Sequence, residues 1–268
     1  MKNLITAFFM AWGNFLSLPC PYKHWDGKLK NAMLAFLPGV GAVAGILWVA
    51  LGALLLWLGI PGLLTTVAMT FYIYIICGFL HLDGFMDVND AVMSRRPLED
   101  RQRILKDSNV GAFAVICVVF LVLAAYSALF SFLSQVPEIP RLLPLFVIPV
   151  ASRAVSGACV LGFEPMGTSQ YKEDHREPRG RFIAALAVCG AVLLGLAVAV
   201  AAVWTAGDPK DGVFSVLATA LVTMAGTFLA CLHGRRQLDG MNGDIAGYSI
   251  CVGELCGMIA LALMMFWS

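Results

Sequence analysis

Long apolar runs alternate with short polar stretches along the whole chain. A bilayer crossing needs roughly 20 apolar residues. The pattern predicts seven such spans, at about 33–59, 61–80, 110–134, 140–162, 182–205, 212–233 and 246–267. Gly59-Ile60-Pro61-Gly62 separates the first two as a tight turn. Residues 1–18 predict an interfacial helix, because Phe8, Phe9, Trp12, Phe15 and Leu16 crowd one side with few charges nearby. A short first transmembrane span is the rival for this segment. Lys2 precedes an apolar stretch, but no small-x-small cleavage pattern follows it. The fold class expected is all-α: a polytopic integral membrane helical bundle forming one domain over residues 1–268. Gly39-x-Gly41-x-x-x-Gly45 opens a span with no strand before it, so it reads as close helix packing and not as a nucleotide fingerprint. Pro38 fits the start of that helix.

Composition agrees with the pattern. The chain is 60% apolar and only 13% charged, with a mean hydropathy of +0.83. Soluble domains carry about 25% charge. A net charge of +1 argues against a nucleic-acid partner. Eight cysteines without a C-x-x-C pair indicate neither a zinc site nor a disulfide framework, and read as small core residues. Fifteen of the eighteen basic residues fall on one side of the predicted spans, while Arg141 and Lys210 fall on the other and Arg153 lies within a span. The positive-inside rule therefore places the N-terminus and the charged loops in the cytoplasm.

One polar stretch, Gly78–Gly111, stands apart. It holds six of the chain's seventeen acidic residues and five of its basic ones. Asp83, Asp87 and Asp90 are spaced i, i+4, i+7, which on a helix aligns three carboxylates in one stripe. Like charges so placed repel, and a divalent cation would neutralise them. Hard oxygen ligands suit Mg²⁺, which takes one or two carboxylates together with substrate phosphates. The plain alternative is a solvated acidic face. Arg95, Arg96, Arg101, Arg103 and Lys106 follow at once. Carboxylates beside such cations suit a pyrophosphate; a positive-inside loop without a ligand would look the same.

Smaller signals accompany this stretch. Arg153 is an ionisable group about mid-span and should have a partner, either Glu254 or the acidic stripe. Gly240, Gly243 and Gly247 surround Asp244 and would let backbone approach a ligand closely. Asp244 begins the last predicted span, where an acid can serve merely as a cap. The mixed-charge loop 163–181 reads as a lid or as a connector.

The stretch G-F-L-H-L-D-G-F-M-D-V-N-D, followed by K-D-S-N-V-G-A-F, resembles the signature of the cobalamin synthase family, the adenosylcobinamide-GDP ribazoletransferases. The matching residues are Gly78, His81, Leu82, Asp83, Gly84, Asp87 and Asp90, then Lys106, Asp107, Ser108, Gly111, Ala112 and Phe113. F-L-S-L-P-C-P at 15–21, F-L-P-G-V-G at 36–41, Ser152-Arg153 and Gly243-Asp244-x-x-Gly247 also resemble family segments, in order. Ala91 replaces a usual glycine, and Asp239-Gly240-Met241-Asn242 replaces a G-G-L-T-like run.

The resemblance implies an enzyme that joins adenosylcobinamide-GDP to α-ribazole or its 5′-phosphate and releases GMP. It implies Mg²⁺ on Asp83 and Asp87, with Asp90 or Asp244 as general base or ligand to a second metal. Arg95, Arg96 and Lys106 would balance phosphate charge. His81 would hydrogen-bond substrate or orient an aspartate, against a plain structural role. Asp107 and Ser108 would contact substrate or cap the next span. Arg153 and Gly243 complete the expected substrate-binding set. The expected partners are a corrinoid nucleotide, α-ribazole and the lipid bilayer, with a homo-oligomer possible because the corrinoid is too large for the loops alone to enclose. The expected location is the bacterial inner membrane, with the site facing the cytoplasm. Two rivals differ in class: a CDP-alcohol phosphatidyltransferase-like enzyme, whose D-G-x-x-A-R pattern is broken here by Met86-Asp87, and a cation transporter.

Overall fold

The computed structural model describes residues 2–135, 139–167 and 169, scattered positions between 187 and 198, and residues 209–267. Among them the chain is helical and no strand forms. The helices are α1 (Lys2–Phe15), α2 (Lys30–Ala35), α3 (Leu37–Trp57), α4 (Gly62–Ile75), α5 (Leu80–Met93), α6 (Leu98–Ile104), α7 (Ala112–Leu133), α8 (Val147–Gly162), α9 (Pro209–Leu238) and α10 (Gly243–Trp267). A tight helical stretch, Ile139–Phe146, leads into α8.

Among the described residues, five helical segments are long and apolar enough to cross a membrane: Leu37–Trp57, Ala112–Leu133, Arg141–Gly162, Val213–Leu238 and Gly243–Met264. Helices suit a bilayer because they satisfy their own backbone groups. The predicted span at 182–205 lies outside the described residues apart from the scattered positions between 187 and 198. α1 has 14 residues, about 21 Å of helix, short of the ~30 Å hydrocarbon core. It packs on its neighbours through buried Ala7, Met10 and Ala11, with Phe8 edge-on to Phe36 at 5.9 Å. This favours the surface-lying reading of the N-terminus over a first span.

The predicted span at 61–80 differs from the structure. α4 stops at Ile75, and α5 leaves it at 81° across a short break, so the pair forms one broken span or a re-entrant hairpin. Gly78 (φ 58°) and Phe79 (φ 61°) both take left-handed backbone there. That is ordinary for glycine but strained for phenylalanine, by about 1–3 kcal/mol. Tertiary hydrogen bonds hold the break. The Ser17 amide donates to the Ile76 carbonyl at 2.8 Å, and the Ser17 hydroxyl donates to the Ile75 carbonyl at 2.9 Å. The polar run after Leu80 consequently stays against the bundle as α5.

Small residues set the spacing of the other helices. A Cβ at Gly41 would collide with the Pro149 carbonyl, and one at Gly45 would lie 2.6 Å from the Phe146 carbonyl oxygen. Gly41 and Gly45 are thus a packing face for α8, which is almost wholly buried, while Gly39 meets Phe8 of α1. Gly253 and Gly257 of α10 play the same part against Thr227 and Thr223 of α9. Those two threonine hydroxyls donate to carbonyls one turn back, at 2.8 Å and 2.7 Å.

Arg153 finds Glu254, not the acidic stripe. Its Nη1 meets Glu254 Oε1 at 2.6 Å and donates to the Pro149 carbonyl at 3.1 Å. Its Nη2 reaches Cys77 Sγ at 3.1 Å, and Ser152 donates to the same carboxylate oxygen at 3.2 Å. Both charged side chains are buried. The pair therefore ties α8, α10 and the α4–α5 break together. Removing one member leaves an uncompensated buried charge, which costs about 3–5 kcal/mol. Arg153→Met is expected to lower stability by that order in detergent, and adding Glu254→Met should recover most of the loss. Thermal unfolding of the single and double variants measures both.

Candidate active site

α5 lies against the N-terminal end of α10, and the closeness of the two backbones builds the site. A Cβ at Gly84 would stand 2.7 Å from the Asp244 carbonyl oxygen, and one at Gly247 would stand 3.1 Å from the His81 Cα. Phe85 stacks on Tyr248 beside this contact, with ring centres 5.7 Å apart. The i, i+4, i+7 stripe forms as expected, because Leu80–Met93 is one continuous helix. Asp83 is exposed, while Asp87, Asp90 and Asp244 are partly buried. Asp87 is the centre of the group: it interacts electrostatically with Asp83, Asp244 and Asp90. The Asp90 carboxylate rests against Gly111, ahead of α7. The positive ends of α7 and α10 thus face carboxylates, which offsets part of their repulsion.

Among the described residues no three His, Cys, Asp or Glu side chains are close enough to hold a metal ion by themselves. The donors are hard oxygens, the right kind for Mg²⁺ but few in number. That fits an ion bound through one or two carboxylates and completed by water and phosphate oxygens.

Asp244 does not cap α10. Asn242 does, accepting from the Ile245 amide through Oδ1 at 3.0 Å. The Asn242 side-chain amide then donates to Asp244 Oδ2 at 2.7 Å and orients that carboxylate. The preceding turn is built on Asp239 (φ 55°) and Gly240 (φ 136°). A Cβ at Gly240 would lie 2.5 Å from Met166 backbone, so glycine is required twice over. Met166 donates to the Met241 carbonyl and Met241 to that of Glu164, both at 2.9 Å. The start of the loop 163–181 is therefore docked beside the site; residues 170–181 lie outside the described residues. Gly243 is exposed at the mouth.

His81 is buried, its ring nearly parallel to that of Phe15 at 6.5 Å. Among the described residues its Nε2 has no hydrogen-bond partner. It lines, with Asp83 and Asp244, a cavity of about 140 Å³.

The cations take outer positions. Arg95 (φ 54°), Arg96 and Lys106 are exposed. α6 is pinned to the end of α9, where Arg101 donates to Gln237 and Gln102 donates to the Leu238 carbonyl at 2.8 Å. Arg103 pairs with Asp100 at 2.7 Å on the surface. Arg235 lies over the Phe163 ring at 4.7 Å. Asp107 accepts from the backbone and side-chain N–H groups of Asn109, at 3.0 and 2.7 Å. Those bonds hold its carboxyl below the usual range. It does not cap α7, whose N-cap is Gly111 without side-chain help. Ser108 is exposed in the same turn. Arg153 is enclosed and stands behind the site, against Cys77. Sequence reasoning passed over Asn242, Gln102, Gln237 and Arg235. Only Asn242 carried a readable signal, an N-cap residue one turn ahead of the last apolar run.

Fold and site together define a multi-pass helical membrane protein with a carboxylate cluster where α5 meets the start of α10. The chain belongs to the cobalamin-5-phosphate synthase family, whose model matches residues 7–262. It is 34% identical over 264 residues to an adenosylcobinamide-GDP ribazoletransferase of Clostridium perfringens strain 13, covering 98% of this chain and all of that protein. A Clostridium botulinum relative of the same name is 31% identical over 98% of this chain and 99% of its own length. One from Escherichia coli is 29% identical over 96% of this chain and all of its own. No solved structure matches the chain.

Gly84→Val is expected to push α5 off α10 and to lower turnover by at least ~10²-fold, since misplacing reacting groups by about 1 Å costs that much. Asn242→Ala should cost about 1 kcal/mol of stability through the lost cap. Initial rates and thermal melts of the two variants check these outcomes.

Proposed function

We propose that this chain is an adenosylcobinamide-GDP ribazoletransferase. It joins adenosylcobinamide-GDP to α-ribazole, or to its 5′-phosphate, and releases GMP. The observation that carries this reading is the gathering of Asp83 and Asp90 of α5 and Asp244 of α10 around Asp87. This cluster lies in a chain matched nearly end to end by relatives of that name.

The chemistry is a displacement at phosphorus. A secondary ribose hydroxyl of the acceptor, free in α-ribazole and in its 5′-phosphate alike, attacks the phosphorus that bears the cobinamide, and the bond to GMP breaks. Asp244, oriented by Asn242, is placed to take the hydroxyl proton. Asp83 and Asp87 would hold Mg²⁺, which when bound neutralises charge on the diphosphate and the leaving GMP. The exposed Arg95, Arg96 and Lys106 attract a polyanionic substrate from solution. The site faces the cytoplasm of a bacterium, in its inner membrane. The support is the sorting of fifteen of eighteen basic residues to one side of the predicted spans.

Purified protein in detergent should release GMP only when adenosylcobinamide-GDP, α-ribazole and Mg²⁺ are all present. Chelation should stop release, and added Mg²⁺ should restore it. Asp83→Asn and Asp87→Asn should each lower the rate by about 10²–10³-fold, the scale of losing one preorganised electrostatic contact to the transition state. Absence of release by folded wild-type protein would sink the proposal. Full activity in both variants would move the metal site away from α5.

A further inference from the structure

The cavity beside the acids is chemically two-sided. Asp83 and Gly243 are exposed at its mouth, with partly buried Asp244 next to them. Leu34, Leu37, Val160 and Ile250 make its floor, each buried to 5% exposure or less. Phe15 lines it as well, nearly parallel to the His81 ring. Its volume is about 140 Å³. An apolar cavity of about 150 Å³ in another protein takes up benzene. The space here suits an aromatic ring system and is too small for a whole nucleoside.

Its polar inventory is short. The Ser156 hydroxyl is engaged, donating to the Ala246 carbonyl at 3.1 Å and accepting from Ser249 at 3.2 Å. His81 Nε2 is the one buried side-chain polar atom of the lining left without a partner among the described residues. A ring bound here would meet apolar walls and the His81 imidazole, with the Asp83 and Asp244 carboxylates at the mouth.

Resting on the reading given under Proposed function, we infer that this cavity is the subsite for the aromatic base of the acceptor, a benzimidazole-type bicycle. Such a base carries its ribose on one nitrogen and presents only the other as an acceptor; the rest is C–H and methyl. His81, in its Nε2–H tautomer, donates to that nitrogen, and the ribose projects toward Asp83 and Asp244, where its attacking secondary hydroxyl is needed. The guanine of the other substrate does not suit this cavity. It has several donors and acceptors, and each one buried without a partner costs about 1–3 kcal/mol. A second cavity, of about 510 Å³ between α1 and the segment Pro19–Trp25, is the competing location.

The test uses the full-length protein in detergent. Val160→Phe fills the floor of the small cavity, and Val160→Leu fills less of it. Gly13→Leu fills the larger one, where the nearest atoms to a Cβ are those of Cys20 at 3.7 Å. Steady-state GMP release gives a KM for each substrate. Equilibrium binding of α-ribazole alone, read from its own fluorescence, gives affinity without turnover. Val160→Phe should raise the KM and Kd for α-ribazole at least ~10-fold and leave the KM for adenosylcobinamide-GDP unchanged; Val160→Leu should fall between. Wild-type protein should prefer an α-riboside of benzimidazole to one of adenine, and His81→Leu should narrow that preference.

Unchanged α-ribazole binding in a Val160→Phe protein that elutes and melts like wild type overturns the inference. So does a shift confined to Gly13→Leu, or an equal rise in both KM values. Should Val160→Phe fail to fold, the benzimidazole-against-adenine comparison on wild-type protein decides alone, and no preference refutes the inference. If wild type binds α-ribazole yet releases no GMP, the transferase reading fails while the binding data still judge the cavity.

Discussion

The backbones of α5 and α10 approach each other at Gly84 and Gly247, and the separation of the carboxylates follows from that contact. Asp83 and Asp87 are fixed by their helix, one turn apart. Asp244 is fixed by Asn242 and by the first turn of α10. What brings the two sets together is the lack of a side chain where the helices meet. The aspartates on the two helices repel each other, so the approach must be driven from elsewhere. Stacking of Phe85 on Tyr248 supplies part of the attraction. The positive ends of α7 and α10 supply another part.

The bend before α5 is the second condition. A straight continuation of α4 would carry the acids away from α10. The break instead turns the chain by 81°, and three separate parts of the chain hold it. Ser17 bonds the carbonyls that end α4. Cys77 meets Arg153 of α8, which is paired with Glu254 of α10. This gives the buried ion pair a meaning that isolated stability arithmetic would miss. A buried pair is weak evidence for stability as such, but here it joins the helix that carries Asp244 to the turn that aims Asp83 and Asp87. Arg153 therefore influences the acids through the backbone, from behind the site wall.

Some of this was legible in the sequence. The 3.6-residue period alone placed Asp83, Asp87 and Asp90 on one stripe, and the helix Leu80–Met93 realises it. Small-residue spacing marked Gly41 and Gly45 as a packing face, which α8 occupies. The bend was hidden, because hydropathy runs smoothly from Ile76 through Leu80 and says nothing of a hydrogen bond from Ser17, far away in the chain. Phe79 in left-handed backbone runs against local preference, so only tertiary structure could place it there. Asn242 was readable as a cap, but Asp244 two positions on competes for that role in any sequence reading. The location of Arg153 within a span was readable; the choice between Glu254 and the acidic stripe needed three dimensions.

The distribution of charge across the site completes the physical picture. The cations Arg95, Arg96 and Lys106 stand in water, where screening limits each contact and a Debye length of about 10 Å limits its range. Asp87 and Asp244 are partly buried, where the dielectric is lower and the same charges interact more strongly. On the proposed function, an anionic substrate would be drawn in by these cations but could not settle among the inner carboxylates without a counter-charge. The inner cluster would repel bare phosphate, and only a cation carried in with the substrate, or held ready between Asp83 and Asp87, reverses that sign. On the proposed function, selectivity for a metal-complexed diphosphate over a free one would follow from where the charges sit, before any specific contact to the rest of the substrate is made.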